Sequence, residues 1–362
     1  MPNVYAVIMA GGVGARFWPR SREKSPKQLL EILGKETMIV STIKRLDSVI
    51  DQQNILIVTN KVQKAQIIKQ LPHLPSDNII VEPFGRNTAP CIGLAALFIH
   101  RNDPDAVMVA LPADHIIGDV DEFHRVLRLA IWVAYESGKL ITVGIHPTRP
   151  ETGYGYIQYK DVDDGKNPYF SRGIYTVKTF AEKPNEETAK KFLESGEFVW
   201  NSGMFIWRVD TILQEIQRSL PEMYEELNKI DAAVGTDKYN QTLELSYKMI
   251  RSISIDYGVM EKAKEVLVIR GNFGWSDVGS WDEVYRLTGK DDNGNNVTGK
   301  AMIQNTKNTM IHSQNKFVAV INVEDLIIID TDDALLVCKL GKSQDVKEVV
   351  DYLKRKQMND YL

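Results

Sequence analysis

The sequence predicts an α/β protein with a mixed, mostly parallel sheet, followed by a small β-rich C-terminal domain and a final helix. Three observations carry this. Short apolar runs at residues 4–9, 55–58, 79–81, 107–111 and 140–145 alternate with helix-length segments, the pattern of strands buried on both faces by crossover helices. A polar, glycine-bearing stretch at 289–299 interrupts that rhythm, as domain boundaries do. Beyond it, short β-rich pieces crowd into residues 301–339.

Each element has its own warrant. Residues 37–50 place Ile39, Ile43, Leu46 and Ile50 on one helical face. Residues 62–71, 89–100 and 122–137 also read as helices. Segments 154–159 and 175–182 alternate like half-exposed strands and can pair antiparallel. A helix at 186–195, a strand at 203–209, helices at 211–229 and 239–250 and a strand at 266–269 complete the first domain, residues 1–288. The second spans 289–362. No exact repeat is visible there, so periodicity alone does not define a β-helix. Its last helix, 344–356, carries Val346, Val349, Val350 and Leu353 on one face and needs a partner, in its own chain or another; a homodimer is expected, since symmetric pairs are the commonest assembly.

Composition narrows the function. The chain has 362 residues, 43% of them hydrophobic, enough for a large core. Charge is nearly balanced, 44 basic against 48 acidic residues, for a net of -4. No basic run marks a nucleic-acid or anionic-membrane surface, so an anionic substrate must be held by a few placed cations. Cys91 and Cys338 lack CxxC spacing, which predicts reduced, structural thiols. No leader-like N-terminal segment is visible, and no apolar stretch approaches the roughly 20 residues of a membrane span. The cytoplasm is the expected compartment.

The segment after the first strand is Ala10-Gly11-Gly12-Val13-Gly14-Ala15-Arg16. Glycines there let backbone N–H groups approach an anion closely. The loop lies at the carboxyl ends of the strands, where open α/β sheets bind ligands. Alone it is a loose pattern. A dinucleotide-binding reading suffers because Thr59-Asn60 stands where a ribose-binding acid belongs. Arg16 and Lys27 flank the loop, and triphosphate chemistry needs cations on both transferred and leaving phosphates. Asp114 follows the strand at 107–111, and Asp277 sits in a turn after the strand at 266–269. Each alone could cap a helix or shape a turn. Two such carboxylates can also meet at one sheet mouth, and Mg2+ favours a few carboxylates plus phosphate oxygens. His115 reads as a packing residue or one that supports the ligands from behind, because one histidine lacks metal-ligand company.

Gly11 to Arg22, continued by Pro26-Lys27-Gln28, closely resembles the signature of sugar-nucleotide pyrophosphorylases. The run Phe17-Trp18-Pro19-Arg20-Ser21-Arg22 resembles the mannose-1-phosphate guanylyltransferase branch. The likeness recurs in order at Glu82 to Pro90, Pro112 to His115, Thr152 to Ile157, Glu182-Lys183-Pro184, Trp200 to Phe205, Ser254 to Lys262 and Trp275 to Trp281. It extends to about Leu340. Ala15 departs from the usual Thr and removes a hydroxyl near the phosphates.

The resemblance implies a Rossmann-like, GT-A-like nucleotidyltransferase domain and a left-handed β-helix-like C-terminal domain. It implies transfer of GMP from GTP to mannose 1-phosphate, giving GDP-mannose and pyrophosphate. Asp114 and Asp277 become the Mg2+ ligands, with Arg16 and Lys27 beside them as catalytic cations. Gly11, Gly12, Gly14, Gly85, Asn87 and Thr88 become nucleotide-binding. Gly155, Glu182, Lys183 and Asn201 become sugar-phosphate-binding. Two alternatives stand beside this: a uridylyl- or thymidylyltransferase acting on glucose 1-phosphate, and a non-catalytic nucleotide-sugar-binding regulator. Longer family members carry an added isomerase domain; this length predicts a single activity.

Overall fold

The computed structural model describes residues 2–362. Nine strands form one sheet: β1 (Val4–Met9), β2 (Ile55–Asn60), β3 (Ile79–Glu82), β4 (Val107–Pro112), β5 (Leu140–Ile145), β6 (Gly155–Lys160), β7 (Ile174–Glu182), β8 (Phe198–Arg208) and β9 (Val266–Gly271). Their order is β3-β2-β1-β4-β8-β5-β9-β7-β6, and β6 also pairs with β8. Strands β1 to β6 and β9 run one way, β7 and β8 the other. The sheet is therefore mixed but mostly parallel in direction. Strand β6 takes up β8 where β4 leaves off, Ala110 facing Phe205 and then Tyr156 facing Trp200. Gly155 thus begins just beyond the carboxyl end of β4.

Helices α1 (Met38–Lys44), α2 (Lys61–Gln70), α3 (Thr88–Asn102), α4 (Val120–Ser137), α5 (Glu186–Ser195), α6 (Val209–Ser219), α7 (Pro221–Ala233), α8 (Tyr239–Met249) and α9 (Trp281–Leu287) complete the domain. Alternation along the strands builds two cores. Ala6, Ile8, Val107 and Val109 pack with Ile39, Ile43 and Phe123 on one face. Val7, Met108 and Ala110 pack with α3, α6 and α7 on the other. Successive strand residues serve opposite cores, which is why these runs are apolar without alternation.

Three boundaries differ from the sequence reading. The helix expected at 37–50 stops at Lys44; Leu46 and Ile50 are still buried, carried there by tight turns. The helix expected at 211–229 breaks at Leu220, and Pro221 opens α7, because proline begins a helix well but cannot continue one. The strand expected at 203–209 begins at Phe198. Its polar Asn201 and Ser202 hid the earlier half.

The C-terminal part is a coil of short strands, β10 (Asn296–Thr298), β11 (Ala301–Gln304), β12 (Met310–Ser313), β13 (Val318–Ile321), β14 (Leu326–Asp330) and β15 (Leu335–Lys339). Pairing is parallel between β10 and β12, β11 and β13, and β12 and β14. Only β15 turns back against β14. Asn305, Asn308, Asn322 and Asp325 hold positive φ at the corners, where short polar side chains are tolerated. Residues 17 apart stack: Asn305 Nδ2 donates to Asn322 Oδ1 at 3.0 Å and Asn315 Nδ2 to Asp332 Oδ1 at 2.7 Å.

The final helix, α10 (Val346–Arg355), finds its partner within the chain. Val346, Val350 and Leu353 join one core with Phe17, Trp18, Val278 and Trp281. The helix packs on Ala15–Phe17. The apolar stripe thus finds its expected partner in its own chain, and it gives no argument for a second copy.

Candidate active site

The glycine-rich loop leaves β1 and is shaped from beneath. Gln28 Nε2 donates to the carbonyls of Ala10 and Gly12 at 3.0 and 2.9 Å. Gly14 sits at φ 73, and a Cβ there would lie 2.5 Å from Lys27 Cβ, so only glycine lets the loop close over the lysine. Gly12 and Gly85 have no such neighbour: an added Cβ would meet nothing within 4 Å. The fold does not need them as glycines, whereas a ligand approaching the backbone would.

Asp114 and Asp277 come from the carboxyl ends of β4 and β9. An antiparallel bridge joins their loops, Ile116 N to Ser276 O at 2.8 Å and Ser276 N to Ile116 O at 3.1 Å. Between them lies the Lys27 ammonium, buried, donating to Asp114 Oδ2 at 2.8 Å and to the Asp277 carbonyl at 2.6 Å. The Tyr154 hydroxyl donates to Asp277 Oδ1 at 2.6 Å. Val278, next in sequence, is held at φ 45. A β-branched residue in that region stores strain, of order 1–3 kcal/mol, as functional loops do. Gly14, Arg16, Lys27, Asp114 and Asp277 all line one cleft of about 330 Å³.

The two carboxyls differ. Burial pushes Asp277 above the usual carboxylate range, and Asp114 adds to this; Tyr154 and Lys27 offset it only in part. Burial also acts on Asp114, but Lys27 and the other favourable contacts outweigh it and hold that carboxyl low. Two carboxyls on one cleft, one kept from ionising easily by its setting and its neighbour, form an oxygen donor set that suits a divalent cation. Among the described residues no group of three or more His, Cys, Asp or Glu side chains is placed to hold a metal, so a cation held here would need further ligands from outside the protein. His115 lines the same cleft but is buried, its Nδ1 accepts from Trp275 Nε1 at 3.1 Å, and burial depresses its pKa to about 4.

The remaining predicted residues fall in two groups around the cleft. Asn87 caps α3 by accepting from the Thr88 amide at 2.9 Å, at φ 69. Thr88 Oγ1 accepts from Ile255 N at 2.8 Å. At the other side, Gly155 pairs with Glu182 in the β6–β7 ladder. Any Cβ at Gly155 would run into Glu182 Oε2. Lys183 Nζ pairs with Glu182 Oε1 at 2.8 Å, and Asn201 Nδ2 donates to Asp256 Oδ1 at 2.7 Å. The segment 253–256 thus ties both groups together. Arg16 is exposed at the cleft mouth.

Sequence reasoning left four contributors unassigned. Gln28, Tyr154 and Asp256 lay inside quoted motifs, but their roles depend on partners far away in the chain. Glu82, which opens another quoted motif, is the fourth. It is buried beneath the loop, near Gly11, and accepts from the Tyr247 hydroxyl at 3.1 Å. Burial raises its pKa to about 7, against a smaller lowering by Tyr247. The unfolded chain would ionise this carboxyl near 4.5, so rising pH favours unfolding until the folded carboxyl also ionises. Stability should therefore fall between pH 4.5 and about 7, by up to about 3 kcal/mol from this group. Glu82→Gln should lose that slope and gain on the parent protein as pH rises, read by urea unfolding at about pH 5 and about pH 8.

A strand-mouth cleft with a glycine loop, paired aspartates and flanking cations defines an enzyme that moves nucleotidyl groups. The chain belongs to the nucleotidyl transferase family, whose model matches residues 5–294. A second model, the MannoseP isomerase/GMP-like beta-helix domain, matches residues 299–353. A Klebsiella pneumoniae mannose-1-phosphate guanylyltransferase is 41% identical over 363 residues, covering 98% of this chain and 75% of the relative. The mannose-1-phosphate guanylyltransferase of Escherichia coli strain K12 is 39% identical over 357 residues, covering 97% and 74%. A Thermus thermophilus crystal structure, described as a mannose-1-phosphate geranyltransferase, superposes with a TM-score of 0.86 at 32% identity, covering 97% of this chain and 99% of that one. Among the described residues no helix is long and apolar enough to cross a membrane.

Proposed function

We propose that the protein transfers GMP from GTP to mannose 1-phosphate, forming GDP-mannose and pyrophosphate with Mg2+ as cofactor. One observation carries this reading: Asp114, Asp277, Lys27 and Arg16, scattered over the sequence, line a single cleft under a glycine loop. The names of the relatives supply the sugar and the nucleotide. Asp114 and Asp277 would hold the metal, which when bound would neutralise charge on the phosphates.

The chain's own residues account for the rest. The second pKa of a phosphomonoester is about 6, so the sugar phosphate is already a nucleophile near neutral pH and needs no general base. The protein's task is to position that oxygen in line with the α-phosphorus and to stabilise the charge that develops. Arg16, free at the cleft mouth, serves the α-phosphate and leaving pyrophosphate. Lys27 commits its donors to Asp114 and Asp277, so it fixes the two acidic loops and adds positive charge from below. Gly11, Gly12 and Gly14 give their backbone to the phosphates. Gly85, Asn87 and Thr88 take the guanine side. Gly155, Glu182, Lys183 and Asn201 take the mannose phosphate, with Asp256 orienting Asn201. We place the catalytic part at residues 1–288 and the coil at 289–362.

The test is pyrophosphate release with each pairing of GTP, UTP or dTTP with mannose 1-phosphate or glucose 1-phosphate. GTP with mannose 1-phosphate should exceed the other pairings by at least about tenfold, the discrimination expected when a site hydrogen-bonds its base. Faster turnover of UTP or dTTP with glucose 1-phosphate would transfer the reading to that chemistry. No turnover with any pairing would leave a nucleotide-sugar-binding regulator.

A further inference from the structure

We infer that Lys347, on the C-terminal helix, is a third phosphate-binding cation of the cleft and contacts the pyrophosphate portion of the nucleotide. The inference rests on the triphosphate reading above. Lys347 lines the same cleft as Arg16, Lys27, Asp114 and Asp277, yet it lies 70 residues beyond Asp277 and in the other structural part of the chain. It is exposed, and among the described residues it has no ion-pair partner. Lys27, by contrast, is buried and committed to Asp114. Among the described residues, then, Arg16 and Lys347 are the two cations that face this cleft unpaired.

The placement of Lys347 is built. Asp282, in the first turn of α9, accepts from Gly341 N at 2.6 Å, Ser343 N at 3.0 Å and Ser343 Oγ at 2.6 Å. Ser343 Oγ in turn accepts from Asp282 N at 2.9 Å. The approach to α10 is thereby tied to the helix that follows the Asp277 loop. Val346 and Val350 are buried against Phe17, Trp18 and Trp281. Trp281 Nε1 donates to the Trp18 carbonyl at 3.2 Å, bracing the segment after the glycine loop. With its neighbours pinned on two sides, Lys347 is directed to the cleft wall formed by Gly14, Ala15 and Arg16.

Geometry also says which part of the nucleotide it meets. An in-line displacement puts the entering oxygen and the leaving group on opposite sides of the phosphorus. The sugar-phosphate residues Glu182, Asn201 and Asp256 do not line this cleft, and Tyr154 marks their side by bonding Asp277. Lys347 belongs to the helix that packs on Ala15–Phe17, beside the glycine loop. A cation there stabilises the departing pyrophosphate and leaves sugar binding untouched.

Calorimetry with inorganic pyrophosphate in Mg2+ buffer tests this apart from turnover. Lys347→Ala should bind pyrophosphate about tenfold more weakly, the loss expected for one charge-assisted hydrogen bond. Lys347→Arg should recover most of the affinity, and Lys354→Ala, a change at an exposed lysine further along the same helix, should match the parent. In steady state, Lys347→Ala should raise KM for GTP and for pyrophosphate about tenfold, with KM for mannose 1-phosphate unchanged, while the thermal midpoint stays at the parent value. Undiminished pyrophosphate affinity in Lys347→Ala overturns the inference, as does a parent protein that binds no pyrophosphate. If the parent binds pyrophosphate through Lys347 but does not turn over GTP, the proposed reaction falls and the lysine stands.

Discussion

Asp277→Asn should cut Mg2+-dependent turnover by about a thousandfold or more, the scale of losing a charge-stabilising group in phosphoryl-type transfer. The fold should survive. Asparagine keeps an Oδ1 that can accept the Tyr154 hydroxyl, which donates to Asp277 Oδ1 at 2.6 Å, and it removes a carboxyl that burial already disfavours in its charged form. Thermal stability should therefore be equal to the parent's or higher while activity collapses. That opposition between stability and rate marks a group kept for chemistry. A variant with parent-like rates at saturating Mg2+ would take the metal assignment with it.

Lys27→Met should lose activity and stability together. The ammonium-bearing side chain is 5% exposed and touches both acidic loops, so its removal leaves Asp114 charged without its nearest counterion. Breaking a fully buried pair costs about 3–5 kcal/mol. With 34% of the Asp114 side chain exposed, about 2 kcal/mol is expected. The sign with pH is fixed by Asp114. In the parent its carboxyl is held low, so the pair's contribution is present above the ordinary carboxylate range and is lost as pH falls through the depressed value. The gap between parent and variant should thus be widest at neutral pH and close as pH falls below the ordinary carboxylate range, which urea unfolding across that range would show. Arginine should not substitute, because Gly14 already closes against the Lys27 stem.

How much of this was legible in the sequence follows from the range of the interactions. Runs such as residues 107–111 must be buried strands, because nothing else accommodates unbroken apolar residues between helices, and β4 is found there with every residue but Pro112 buried. The glycine loop and the acidic turns were legible as types of residue in ordered motifs. What brings Asp114 beside Asp277 was not: a two-hydrogen-bond bridge between Ile116 and Ser276, neither of which carries a chemical signature. Strand β8 was half hidden because Asn201 and Ser202 point to the site and to a neighbouring carbonyl, so they break the apolar run. The coil was expected from its crowded β-rich pieces and from the family resemblance, but not from periodicity, because its 17-residue period lives in scattered Asn and Asp corners rather than in repeated words. Lys347 carried no signal at all, since one lysine on a helix is ordinarily a solvated surface residue.

The docking of the far end of the chain onto the near end has a consequence for biosynthesis. Trp18 Nε1 and the Arg22 guanidinium both donate to the carbonyl of Tyr361, and Phe17 is buried in the core that α10 completes. The Trp18 contact spans 343 residues of sequence, so an early-made segment acquires its final packing from one made much later. On the ribosome, the sheet can assemble as its strands emerge, but the edge built on Phe17 and Trp18 must wait for α10.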